Sequence, residues 1–223
     1  KKLSRDFDVP IGLHLLENAG EKKQLEKKFG KGAVSYLKDV DYLGENLIAF
    51  HCVCFSEEDM KLFADHGCKV SHNPASNMKL ASGVAPVPEM IQAGITVGLG
   101  TDGCASNNTL DIIKEMSMAA KLHKVARLDP TVMDAHTVVR MATIQGAKVL
   151  GMEKKIGSLE PGKKADIIII GLNKPHLTPL YSEYSHLVYA ASGADVDTVS
   201  ITGKVVMENR QLLTINEKEV IQQ

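Results

Sequence analysis

The sequence predicts an α/β protein: a parallel sheet built from alternating strands and helices, followed by a small β unit. Three observations predict it. Short apolar runs bounded by turn signals recur at 9–15, 47–53, 69–72 and 95–101, with helical patterns between and after them. Beyond Gly157 the pattern changes, and Ala165 to Ile170 (ADIIII) and Val199 to Met207 (VSITGKVVM) are rich in β-branched residues. Each of the first four strands also carries an ionisable group at or near its C-terminal end: His14, His51, His72 and Asp102. We place the boundary at 156, giving a first unit over 1–156 and a second over 157–223.

The elements follow in order. Val9 to Leu15 reads as a buried strand. Glu21 to Phe29 is charged, with spaced Leu25 and Phe29, and predicts an exposed helix. Gly32 to Leu43 has helical spacing, and Leu47 to Val53 is the second buried strand. Ser56 followed by Glu57, Glu58 and Asp59 predicts a capped helix start, with Met60, Leu62 and Phe63 on the inner face. Lys69 to His72 is a short third strand. Asn73 to Val84, rich in Asn, Ser and Gly, reads as a loop. Pro86 to Ala93 predicts a helix stopped by Gly94, and Ile95 to Thr101 the fourth strand. Asn108 to His123 is a long amphipathic helix, and Asp134 to Leu150 another, stopped by Gly151. In the second unit, Tyr181 to Ala191 is a helix or loop between the β segments.

Composition narrows the function. Lys and Arg number 26 against 27 Asp and Glu, a net charge of −1, which argues against a binder that neutralises nucleic-acid phosphates. No apolar run reaches the ~18 residues of a membrane span. Lys1-Lys2 is not followed by the apolar core of a signal peptide. Cys52, Cys54, Cys68 and Cys104 form no C-x-x-C pair, so they are expected as reduced, buried thiols of a cytoplasmic protein. Cys52 and Cys54 are expected on one face of a strand. A first residue of Lys rather than Met predicts further chain upstream.

The strand-end groups carry the chemistry. In parallel α/β barrels the C-terminal strand ends hold the active site. His and Asp are the nitrogen and oxygen ligands that suit a metal such as zinc. Glu17, three residues after His14, sits where it can face the same mouth and move protons. His66, His123, His136, His176 and His186 fall in helices or loops and read as non-catalytic.

These segments together resemble the amidohydrolase superfamily: His14-Leu15-Leu16-Glu17, His51, His72-Asn73-Pro74-Ala75-Ser76-Asn77, and Leu99-Gly100-Thr101-Asp102-Gly103 with Ser106. The nearest branch is that of the aminohydrolases acting on S-adenosylhomocysteine, 5′-methylthioadenosine and 5′-deoxyadenosine. Guanine deaminase and the triazine chlorohydrolases are relatives. Gly157 to Asp166 is similar to the segment that enters the family's β-sandwich.

The resemblance implies the C-terminal half of a (β/α)8 barrel, strands 5–8, plus part of a small β-sandwich. It implies one divalent metal, zinc first, with Fe2+ or Mn2+ also suited to His and Asp. His14 and Asp102 would bind it. Asp102 would take a proton from the attacking water, Glu17 would protonate the ring nitrogen, and Glu17 and Asp102 would both touch substrate. His51 would orient the nucleophile without being a ligand, and His72, Asn77 and Ser106 would brace the site. The substrate would be a nucleoside or related heterocycle and the assembly a homo-oligomer, without nucleic acid or membrane partners. The family's His-x-His pair has no match in this sequence, so the resemblance implies that a missing N-terminal half supplies it. The alternatives are a guanine- or triazine-type hydrolase and a non-catalytic amidohydrolase-like interaction protein.

Overall fold

A computed structural model describes residues 1–222. Residues 2–7, which the sequence does not mark as an element, form a helix (α1, Lys2–Phe7). Four parallel strands follow in spatial order: β1 Ile11–Leu15, β2 Leu47–His51, β3 Lys69–His72 and β4 Thr96–Leu99. The register pairs His14 with Phe50, Leu15 with His51, and His72 with Leu99. All four strands therefore end at the same edge of the sheet.

One face of the sheet packs on helices. Leu47, Ala49, Val70 and Val97 are buried there, in one core with Val34, Phe63, Met90 and Met116. The helices form for local reasons. In α2 (Ala19–Phe29) the Asn18 side chain accepts from the Glu21 N–H, and Gly30 closes the helix in the left-handed region. No residue of α2 is buried. After α3 (Ala33–Asp39), Ser56 and Asp59 form a reciprocal capping box on α4 (Glu57–Asp65), which buries Met60 and Phe63 one turn apart. Leu62 is only partly covered.

The segment expected as a loop over 73–84 contains a helix, α5 (Pro74–Lys79). Pro74 at its first position presets the helical φ. Next come α6 (Val87–Gln92), the one-turn α7 (Cys104–Asn107) and the long α8 (Ile112–Arg127). Asp111 caps α8 through the N–H groups of Ile113 and Lys114, and Met116, Ala119, Ala120 and His123 mark its buried stripe.

The single helix expected over 134–150 is two, α9 (Ala135–Ala142) and α10 (Ile144–Val149). The break is at Thr143, whose φ of −121° and ψ of −101° leave the helical region and whose hydroxyl donates to the Val139 carbonyl at 2.7 Å. The break lets α10 cross the other face of β4. There a Cβ on Gly98 would stand 3.0 Å from Gly146 Cα, so the two glycines are what permits the contact. Elsewhere this face opens into a cleft of about 780 Å³ lined by Gly12, Ile48, Phe50 and Ser71.

The second sheet is antiparallel: β5 Ile167–Ile170, β6 Val196–Ile201, β7 Lys204–Glu208 and β8 Gln211–Leu212. Thr202 and Gly203, both at positive φ, make the two-residue turn between β6 and β7. Between β5 and β6, α11 (Glu183–Tyr189) packs on α8 and α9; α12 (Glu217–Ile221) comes last. The Gly193 N–H donates to Asp111 Oδ2 at 3.0 Å, tying this region to the cap of α8.

The cysteines correct two expectations. All four are free, but Cys104 is exposed and Cys54 half-buried. Cys52 and Cys54 lie beyond the end of β2, and Cys52 takes a φ of 51°, so they do not share a strand face.

Candidate metal centre

His14, His51 and Asp102 converge at the C-terminal edge of the parallel sheet. One donor atom from each lies within 4.8 Å of the other two. His14 Nε2 is 3.9 Å from Asp102 Oδ1, and His51 Nε2 is 3.9 Å from Asp102 Oδ2. The three differ in exposure. The His14 side chain is 62% accessible, that of Asp102 16%, and that of His51 fully buried.

The backbone aims two of them. His51 (φ 72°) and Asp102 (φ 60°) both occupy the left-handed region, which costs a non-glycine residue energy and is concentrated at functional sites. Each has a partner that holds it. His51 Nδ1 lies 2.8 Å from Asn77 Oδ1, so the ring donates from Nδ1 and leaves Nε2 as a bare acceptor. That Nε2 is buried and has no hydrogen-bond partner, although it faces Asp102. Asp102 Oδ2 accepts from the Ser76 hydroxyl at 2.6 Å, and Oδ1 from the Gly103 N–H at 2.8 Å. Burial by itself would raise the Asp102 pKa. The Ser76 hydroxyl, the Gly103 N–H, the Ser106 hydroxyl and the nearby His51 outweigh it and hold the carboxyl below its usual range.

The glycine before the aspartate serves packing. A Cβ on Gly100, two residues before Asp102, would press on Asn73 Oδ1 and Ser71 Oγ, which hydrogen-bond to each other across the end of β3.

Glu17 stands apart from the three-residue cluster. Its N–H donates to Glu21 Oε2 at 2.7 Å, and its own Oε1 receives the Ser82 hydroxyl at 3.4 Å. Glu21 also accepts from the Leu16 N–H at 3.1 Å, so it fixes the turn that presents Glu17. His72 turns toward α8, its Nε2 3.1 Å from His123 Nε2, and both rings are buried. Burial depresses both pKa values, His123 to about 4, which keeps the pair neutral at pH 7.

Sequence reasoning missed Ser76, Glu21, Asn107, Glu115 and the partnership of His123. Ser76 lies inside a quoted motif, one residue before Asn77, and helical geometry there would have signalled it. Nothing in the local sequence points to the others.

Two buried or half-buried imidazole and carboxylate donors beside an exposed imidazole, at the end of a parallel α/β sheet, define a candidate metal centre. The chain belongs to the amidohydrolase family, whose model matches residues 1–206. It is 62% identical over 221 residues to 5-methylthioadenosine/S-adenosylhomocysteine deaminase 1 of Syntrophus aciditrophicus, covering 99% of this chain and 50% of that protein. It is 45% identical over 223 residues to the 5′-deoxyadenosine deaminase of Methanosarcina mazei, covering 51% of that protein. Among solved structures, a zinc-bound adenosine deaminase from Xanthomonas campestris superposes with a TM-score of 0.96 at 37% identity, over 99% of this chain and 50% of that one. The chain thus spans about half the length of the curated relatives it matches. No helix among the described residues is long and apolar enough to cross a membrane.

Proposed function

We propose that this chain forms strands 5–8 of a metal-dependent aminohydrolase barrel, with 157–223 contributing to a β-sandwich, and that the whole protein deaminates an adenosine-type nucleoside. The observation that carries the reading is the His14–His51–Asp102 cluster with its orphaned, buried His51 Nε2. A buried imidazole nitrogen without a partner is costly and calls for a ligand. Imidazole nitrogen and carboxylate oxygen, as His14 and Asp102 offer, are among the donors that zinc takes.

His14 and Asp102 would hold the ion. His51, kept in one tautomer by Asn77, would orient the attacking water by accepting a hydrogen bond from it, without being a ligand. Held by His14 and Asp102, a divalent metal would supply Lewis acidity that favours a nucleophilic water near neutral pH. The chain's own residues supply the proton transfers. Asp102, held ionised by Ser76 and Gly103, takes the proton of the attacking water. Glu17, on the turn braced by Glu21, gives a proton to the ring nitrogen and regains one from the hydroxyl of the tetrahedral adduct, while Asp102 passes the water proton to the amino group, which leaves as ammonia. The relatives named as methylthioadenosine, adenosylhomocysteine and deoxyadenosine deaminases support this substrate class.

The test uses the protein with both barrel halves present. Zinc by elemental analysis is expected, together with ammonia release from 5′-methylthioadenosine, S-adenosylhomocysteine or 5′-deoxyadenosine. Release of chloride or alkylamine from triazines alone would replace the substrate class. Absence of both metal and turnover would refute the catalytic reading.

A further inference from the structure

We propose that Glu115 is a positioning residue of the metal centre: from within α8 it anchors, through one carboxylate, the two segments that hold His51 and Asp102. The inference rests on the reading of His14, His51 and Asp102 as the metal centre.

The site leans on α5. Consecutive residues of this short helix serve different site groups, Ser76 holding Asp102 and Asn77 holding His51. A six-residue helix is too short to be stable by itself. It also has no side-chain cap of its own, since Asn73 makes no capping hydrogen bond. The missing acceptor comes from elsewhere in the chain. Glu115 Oε2 accepts from the Ala75 N–H at 3.1 Å, satisfying the first turn of α5. The other oxygen, Oε1, accepts from Asn107 Nδ2 at 2.8 Å. Asn107 Nδ2 donates in turn to the Thr101 carbonyl at 2.6 Å, one residue before Asp102.

One buried carboxylate therefore spans both supports. Its first arm fixes α5, and with it Ser76 and Asn77. The second fixes the segment that delivers Asp102. Glu115 has no accessible surface, so water cannot replace either arm. An acceptor-only group is required. Both partners are N–H donors, and an amide in its place would turn an NH2 toward one of them.

The experiment reads His51 in the metal-free protein with both barrel halves present, at one fixed pH, by proton–nitrogen correlation with 15N-labelled histidine. The wild type is expected to show the Nδ1–H form donated to Asn77. Glu115→Gln is expected to lose or broaden that signal while remaining folded. Met116→Ala, a core truncation on the same helix, is expected to lower stability and leave the signal intact. Glu115→Asp keeps the charge but is too short for both arms. It carries the same expectation as Glu115→Gln and serves if the glutamine variant does not fold. An unchanged His51 signal in a folded Glu115 variant overturns the proposal, as does equal loss in Met116→Ala. Adding Co2+ to the same samples tests the metal reading separately. Glu115→Gln is expected to bind it about 10- to 100-fold more weakly, the range seen when outer supports of metal ligands are removed. A wild type that binds no Co2+ refutes the metal centre, while the His51 signal still decides whether Glu115 positions that ring.

Discussion

The Ser76 hydroxyl donates to Asp102 Oδ2 at 2.6 Å, joining a buried helical residue to a carboxylate three residues past the fourth strand. Hydrogen bonds to a charged group contribute roughly 1.5–3 kcal/mol. Ser76→Ala is therefore expected to free one Asp102 oxygen and weaken Zn2+ binding about tenfold or more, as loss of a ligand's support does. Chelator competition measures it. A dissociation constant within twofold of wild type would show that the bond does not set the ligand.

Metal addition should stabilise the fold through the same residues. Zn2+ at 100 times its dissociation constant is expected to add about 2.7 kcal/mol against urea unfolding. His14→Ala is expected to abolish the gain, because it removes an exposed donor and little packing. A gain of equal size in His14→Ala would place the bound ion elsewhere.

The His72–His123 pair makes stability depend on pH. His123 is depressed from 6.5 to about 4 by burial, so its folded pKa lies below its unfolded value. Between these values the unfolded chain binds more protons, and stability falls as pH drops from 6.5 towards 4. It is fully present above 6.5. The shift corresponds to on the order of 3 kcal/mol. Urea titrations at pH 7.5, 6, 5 and 4.5 would trace the loss, and His123→Leu is expected to reduce it, leaving the share of buried His72. A wild type equally stable at pH 7.5 and 4.5 would contradict the assignment.

Gly100→Ala tests the packing of the segment that leads to Asp102 against the end of the third strand. Its Cβ meets Asn73 Oδ1 and Ser71 Oγ well inside contact distance, so side chains or backbone must move. Overpacking of this kind costs typically 1–3 kcal/mol. Both a lower thermal midpoint and weaker Zn2+ binding are expected, read by calorimetry and chelator competition. A variant with wild-type values for both would mean that Ser71 and Asn73 yield without cost.

Much of this was legible in the sequence. His14, His51, His72 and Asp102 were found because strands announce themselves by apolar runs and a strand's end fixes where its last side chain stands. The capping signal at Ser56 was read because it acts within three residues, while the caps at Asn18, Asp111 and Asp134, equally local, emerged only in the structure. What the tertiary structure decided lies between distant residues. The helix over Pro74–Lys79 looked like a loop because its Asn and Ser favour turns and its cap comes from Glu115, 40 residues beyond Ala75. The break at Thr143 follows from the passage of α10 across Gly98, and the pairing of His72 with His123 from two buried faces meeting. Local propensity places a residue on an element. Which donor then meets which acceptor depends on how the elements pack, because burial makes each unpaired group costly and the partner that removes the cost is set by space and not by sequence distance.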